Sequence, residues 1–219
     1  GVVEAILDAG SVTALRTGAA AVIAADVLGR ADAESAAVVG VGINGRAAAR
    51  TFLARGRAVA VWDLDPARAT AAADELGTDV AASSEQALAA DLLVTVTPGK
   101  EVLLQEGSLA PGQHVSLIGA DGPGKAEIAV AEMARAKLFC DEWEQASHGG
   151  ELAAAVESGA ISRGDVTELG AVLAGSASGR DSSEQITLFD STGLAIQDLA
   201  IAKAALSRAD QLDLVRIPL

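Results

Sequence analysis

The stretch Ala36-Ala37-Val38-Val39-Gly40-Val41-Gly42-Ile43-Asn44-Gly45-Arg46 leaves this chain few folds to choose from. A short apolar run meets a G-x-G-x-x-G turn, and an alanine-rich helical segment follows. A second apolar run, Val59-Ala60-Val61-Trp62, ends at Asp63, 23 residues after Gly40. Strand, glycine turn, helix, strand and acid in that order form the first βαβ unit of a sheet that binds a dinucleotide. Gly40 takes the tight turn at the strand end. Gly42 has no side chain, so a pyrophosphate can approach the backbone, and Gly45 lets the helix pack close to the sheet. The N–H groups opening that helix face the phosphates, aided by its dipole. Asp63 accepts hydrogen bonds from the adenosine ribose and repels a 2′-phosphate, which selects NAD over NADP. Asp65, two residues on, is placed to share that role.

The rest of the chain alternates strand-like and helix-like segments. Strands are expected at 2–7, 58–62, 80–82, 92–96, 115–118, 137–140 and 186–189. Helices are expected at 11–28 with Ser11 as N-cap, 43–55, 66–76 opened by Asp65-Pro66, 84–90, 128–136, 145–157 and 194–209. Residues 176–184 read as a polar, mobile loop. The expected architecture is α/β: a Rossmann-type, doubly wound, mostly parallel sheet covered on both faces. Its expected core domain spans residues 31–190. Segments 1–30 and 191–219 are assigned to a partial second domain for substrate binding and dimerisation, made from the chain ends.

Composition narrows the function. A net charge of −14 repels nucleic acid and anionic membrane, so neither is an expected partner. No apolar run is expected to span a bilayer and no basic, apolar leader opens the chain. The single cysteine, Cys140, excludes an internal disulfide and fits a reducing, cytoplasmic setting. His114 and His148 lack the spacing and companions of a metal site. Ser147 and His148 are adjacent without an acid placed to orient the histidine, which argues against a serine hydrolase. Glu142, Glu144 and Glu151 read as a solvated acidic face.

Ligands of such sheets gather at the carboxyl ends of the strands. Three polar clusters fall there: 95–98, 119–125 and 190–193. Asp121 lies in a glycine- and proline-framed loop four residues before Lys125. It is either a general acid or base or a turn aspartate bonding its own backbone, and the spacing favours neither. Lys125 suits a phosphate or Asp121 itself. Arg16, in a helix of small residues, points to solvent or reaches the pyrophosphate, the first being the commoner fate of such an arginine.

Several segments together resemble the ornithine cyclodeaminase/mu-crystallin superfamily. They are Val12-Thr13-Ala14-Leu15-Arg16-Thr17-Gly18-Ala19-Ala20, the Gly40–Gly45 turn, Thr95-Val96-Thr97-Pro98, Ile118-Gly119-Ala120-Asp121-Gly122-Pro123-Gly124-Lys125, Gly150-Glu151-Leu152, and the run from Leu188 to Asp198. The resemblance implies a dimeric NAD(P)-dependent protein acting on a small amino acid or its imine. It makes Asp121 the catalytic acid and places Arg16, Gly40, Gly42, Ile43, Asn44, Gly45, Asp63, Thr97, Ser116, Ile118, Lys125 and Ser191 at the cofactor, with Thr192 at the substrate. It implies an oxidoreductase of a CH–NH or C=N bond, of the alanine dehydrogenase, ketimine reductase or pyrroline-2-carboxylate reductase type. Thr192, Leu194 and Gln197 favour that branch. Ornithine cyclodeaminase and a non-catalytic, crystallin-like binder are the alternatives. Members carry roughly a hundred more residues before the Arg16 helix, within ordinary two-domain size, and that segment grips the substrate carboxylate. The present chain reads as a piece of such a protein or as a shortened member.

Overall fold

The structure, a computed structural model, describes residues 3, 5–98, 101–119, 124, 126–211 and 213. Among the described residues, eight parallel strands form one sheet in the order β3-β2-β1-β4-β5-β8-β6-β7. They are β1 (Ala36–Val39), β2 (Ala60–Trp62), β3 (Asp79–Val80), β4 (Leu92–Thr95), β5 (His114–Leu117), β6 (Lys137–Cys140), β7 (Val166–Glu168) and β8 (Thr187–Asp190). Chain order reverses between β1 and β4, so the crossovers from these two strands diverge and leave a crevice at their carboxyl ends. The central strands are buried along their whole length, as parallel strands covered on both faces must be.

Alternate residues divide the core. Ala37, Val39, Leu93, Val115, Leu117 and Leu188 enter one cluster. Ala36, Val38, Val61, Leu92 and Val94 enter the other, beneath α1 (Ala9–Leu28), α2 (Ile43–Ala54) and α3 (Pro66–Leu76). Small residues let these helices approach. A Cβ on Gly18 of α1 would come within 2.5 Å of the Ala47 backbone of α2, so the crossing is nearly backbone to backbone. The expected boundary near residue 30 coincides with no break in packing, because α1 shares a core with β1 and α2. By length and composition α1 could cross a bilayer, contrary to the expectation that no run would. Its apolar character is accounted for by Ala21, Val22, Ala24, Ala25 and Leu28, all buried in the domain. A polar ladder pins α1 further. Thr187 Oγ1 donates to the Leu28 carbonyl, and Ser116 Oγ donates to that of Ala21. The His114 ring spans Thr187 and Ser116.

Several local expectations are corrected. The described part of 1–8 is neither strand nor helix. Asp8, not Ser11, caps α1, accepting from the Gly10 and Ser11 N–H groups. The expected helix at 84–90 is α4 (Ser84–Leu88), and that at 128–136 contracts to α5 (Val130–Met133), because Ile128 bridges to Leu104. The helix at 145–157 divides into α6 (Trp143–Gly149) and α7 (Ala153–Glu157) around Gly150. Strand β7 and the following α8 (Leu169–Leu173) were not anticipated. The loop at 176–184 is fastened. Arg180 donates to the carbonyls of Leu28, Gln113 and Gln185, and Lys137 holds Ser178, Gly179 and Asp181.

Candidate dinucleotide site

A cleft of about 730 Å³ opens over the carboxyl ends of β1, β2, β4, β5 and β8. Of the residues expected at the cofactor or substrate, Arg16, Gly40, Gly42, Ile43, Asn44, Asp63, Thr97, Ile118, Ser191 and Thr192 line it. The three glycines have different reasons for being glycine. Gly40 has φ +90°, and a Cβ there would strike the Val96 carbonyl. A Cβ on Gly45 would collide with the Gly40 carbonyl oxygen, so Gly45 allows α2 to start hard against the turn. Gly42 has φ −66°, and a Cβ there would meet nothing within 4 Å. The fold itself does not require glycine at 42. The space beside it is open cleft, at the uncapped N-terminus of the twelve-residue α2, where unpaired N–H groups and the helix dipole favour an anion.

Asp63 follows β2 at the cleft wall. Its Oδ2 accepts from Val41 N at 2.9 Å and its Oδ1 from Asp65 N at 3.0 Å. Two backbone donors orient the carboxylate and leave each oxygen a lone pair for a ribose hydroxyl. Asp65 is occupied otherwise, capping α3 by accepting from Ala67 and Arg68 N–H groups. Arg68, not anticipated, stands 3.6 Å from Asp63 on the cleft rim. Exposed Ile43 and Leu64 flank the acid with apolar surface. Across the cleft Arg16 packs its guanidinium over Gly193 and lies 3.7 Å from Asp198. Its Nε, the atom facing Asp198, makes no hydrogen bond among the described residues, and the side chain lines the cleft.

Ser116 does not reach the cleft. It is fully buried in the ladder to α1, and its hydroxyl is committed to the Ala21 carbonyl and His114. Gly45 sits behind the turn and acts through packing. Asp121 and Lys125 lie outside the described residues.

Four acids underlie the loops of the cleft, and the sequence reading did not assemble them. Glu127 accepts from Thr95, Thr97 and Gly119. Glu151, expected on a solvated face, is 1% exposed and accepts from the Glu127 N–H. Asp190 accepts from Leu152 N at 3.1 Å. Asp141 accepts from the Ser191 and Thr192 hydroxyls and from the Thr192 and Gly193 N–H groups, fixing the loop after β8. Room is made by glycine again: a Cβ on Gly150 would strike the Asp190 carboxylate. Burial raises the pKa of Glu127. Burial, reinforced by the neighbouring acids, pushes Glu151 up to about 8, and burial pushes Asp190 up to about 7.

Residues 1–212 match the ornithine cyclodeaminase/mu-crystallin family, and the chain belongs to it. It is 39% identical to an alanine dehydrogenase of Archaeoglobus fulgidus over 94% of this chain and 66% of that protein. Among solved structures, an archaeal alanine dehydrogenase dimer with bound NAD superposes with a TM-score of 0.86 at 38% identity, over 94% of this chain and 67% of that one. The Δ1-pyrroline-2-carboxylate reductase of Thermococcus litoralis, in complex with NADH and L-proline, gives 0.83 at 29% identity, over 91% and 65%. The chain thus spans about two thirds of the length of these relatives.

Two outcomes follow from this geometry. Gly42→Ala leaves the melting temperature unchanged yet weakens NADH binding by about tenfold or more, because the methyl occupies the phosphate's path. Calorimetric titration checks it, and unchanged affinity removes Gly42 from the site. Glu151 and Asp190 have folded pKa values above their unfolded ones, so the protonated forms favour the fold. Their contribution is complete below about pH 4 and is lost as pH rises through about 7 and about 8. Glu151→Gln therefore shows a shallower fall of melting temperature between about pH 5 and 8 than the parent. Equal slopes contradict that origin.

Proposed function

We propose that this chain carries the cofactor-binding part of an NAD(H)-dependent oxidoreductase acting on the CH–NH or C=N bond of a small amino acid or cyclic imino acid. The observation that carries the reading is the open space at Gly42, facing the bare N-terminus of α2 with Asp63 fixed beside it. The residues fit NAD: α2 holds the pyrophosphate, Asp63 the ribose, and Arg16 the phosphate from the opposite wall. NAD supplies the hydride-accepting or hydride-donating ring. The protein's part is to orient that ring over the substrate carbon, exclude water, and move one proton. Asp121 is assigned that proton and Thr192 a substrate contact. The relatives' printed activities, on alanine and on a pyrroline carboxylate, share a carbon–nitrogen bond beside a carboxylate, and that shared chemistry sets the substrate class.

A homodimer fits the surface. Leu15 on α1 and Ile196 and Leu199 on α9 (Ala195–Leu206) are exposed apolar side chains on neighbouring helices, and a solved relative is a dimer. Segments 1–30 and 191–219 are then the roots of the substrate and dimerisation domain. A cytoplasmic setting suits the single cysteine, Cys140, a buried thiol.

Following NADH absorbance with pyruvate plus ammonia, 1-pyrroline-2-carboxylate and its six-membered homologue tests the proposal, in the full reading frame. NADH loss with one of them supports it. Ammonia release from ornithine without net NADH change replaces it with a cyclodeaminase. In an active protein, Asp121→Asn lowers turnover by about a hundredfold or more, with NADH affinity within about twofold. Substantial residual turnover removes Asp121 from the chemistry.

A further inference from the structure

One buried carboxylate holds two walls of the cleft at once. Glu127 Oε1 accepts from Thr97 N at 2.7 Å and Thr97 Oγ1 at 2.5 Å, and Oε2 accepts from Thr95 Oγ1 at 2.7 Å and Gly119 N at 3.2 Å. Thr97 leaves β4 and Gly119 leaves β5, and both line the cleft. The carboxylate itself is fully buried and does not line it. Its backbone is equally committed. The Glu127 carbonyl accepts from Leu103 and Leu104 N–H groups, and its N–H donates to Glu151. Gly119 is glycine because a Cβ would come within 2.5 Å of that carboxylate. The acid and the glycine are therefore fitted to each other.

The adenosine half of a dinucleotide lies over the β1–β2–β3 side of such a sheet, and the second nucleotide lies over the β4–β5 side. Asp63 and the glycine turn serve the first half. We propose that Glu127 is a positioning residue for the second half: it fixes the Thr97 and Gly119 walls against which the nicotinamide nucleotide rests. The proposal rests on reading the cleft as a dinucleotide site. Its chemistry is specific to a carboxylate. Four donors converge on two oxygens, and two of them, Thr97 N and Gly119 N, are backbone groups that cannot turn round. They sit on different oxygens. In Glu127→Gln one of the two must face an amide NH2, whichever way the side chain is flipped. One wall then moves or loses its anchor, while the Asp63 side is untouched.

The experiment is calorimetric titration of the parent, Glu127→Gln and Thr95→Val with two probes, NADH and ADP-ribose. ADP-ribose carries the adenosine half and the pyrophosphate but no nicotinamide. Thr95 is fully buried and does not line the cleft, so its near-isosteric valine removes one bond to Glu127 without touching ligand. Glu127→Gln is expected to weaken NADH by about tenfold and ADP-ribose by less than about twofold, with Thr95→Val showing the same pattern at about threefold. Should Glu127→Gln not fold, Thr95→Val alone carries the comparison. Equal weakening of both probes assigns Glu127 a general structural role and overturns the proposal. So does unchanged NADH affinity in the variants. Failure of the parent to bind either probe overturns the dinucleotide reading itself.

Discussion

The close approach of Gly45 to the Gly40 carbonyl is the constraint on which the rest of this structure depends. It lets α2 begin directly at the end of β1 and aims that helix's unpaired N–H groups into the crevice where strand order reverses. A side chain at either position would push the helix out and blunt the dipole's reach. Gly18 repeats the device one layer away, bringing α1 so near α2 that Arg16, half a turn earlier, arrives at the opposite wall of the same crevice. Backbone proximity at two glycines thus places the helix terminus and the arginine on either side of one ligand.

Around that frame, the cleft's polar loops are held by acids rather than by apolar packing. Asp141 gathers the backbone and hydroxyls of 191–193, and Glu127 gathers those of 95–97 and 119. Buried carboxylates are costly unless every lone pair is used. Here loop N–H groups, which burial would otherwise strand, supply the donors. Burial raises the pKa values of Glu151 and Asp190 into the neutral range, and the neighbouring acids add to it. The arrangement fixes loop geometry with acids that do not themselves line the cleft.

The nucleotide half of the site was legible because its signals are local. A turn glycine, a helix start and a strand-end acid lie within one βαβ unit, and each has a backbone reason to be what it is. Strands β1, β2, β4, β5, β6 and β8 were visible as apolar runs. Strand β7 was not, since Val166-Thr167-Glu168 is short and sits at the sheet edge with only Val166 buried. Glu151 was misjudged for the opposite reason. Its neighbours Glu142 and Glu144 lie on or before α6, whereas Gly150 breaks the helix and turns Glu151 inward toward Glu127. The resemblance placed Ser116 at the cofactor, but strand alternation directs it to α1 and the His114 ladder. These are tertiary outcomes that spacing along the chain does not encode.

Amide hydrogen exchange with and without NADH tests the central claim most directly. If α2's N-terminus is the phosphate site, the amides of Ile43, Asn44 and Gly45 slow markedly on binding, and the C-terminal turn of α2 near Ala54 does not. Saturating NADH with no slowing at residues 43–45 would place the cofactor elsewhere and contradict the account.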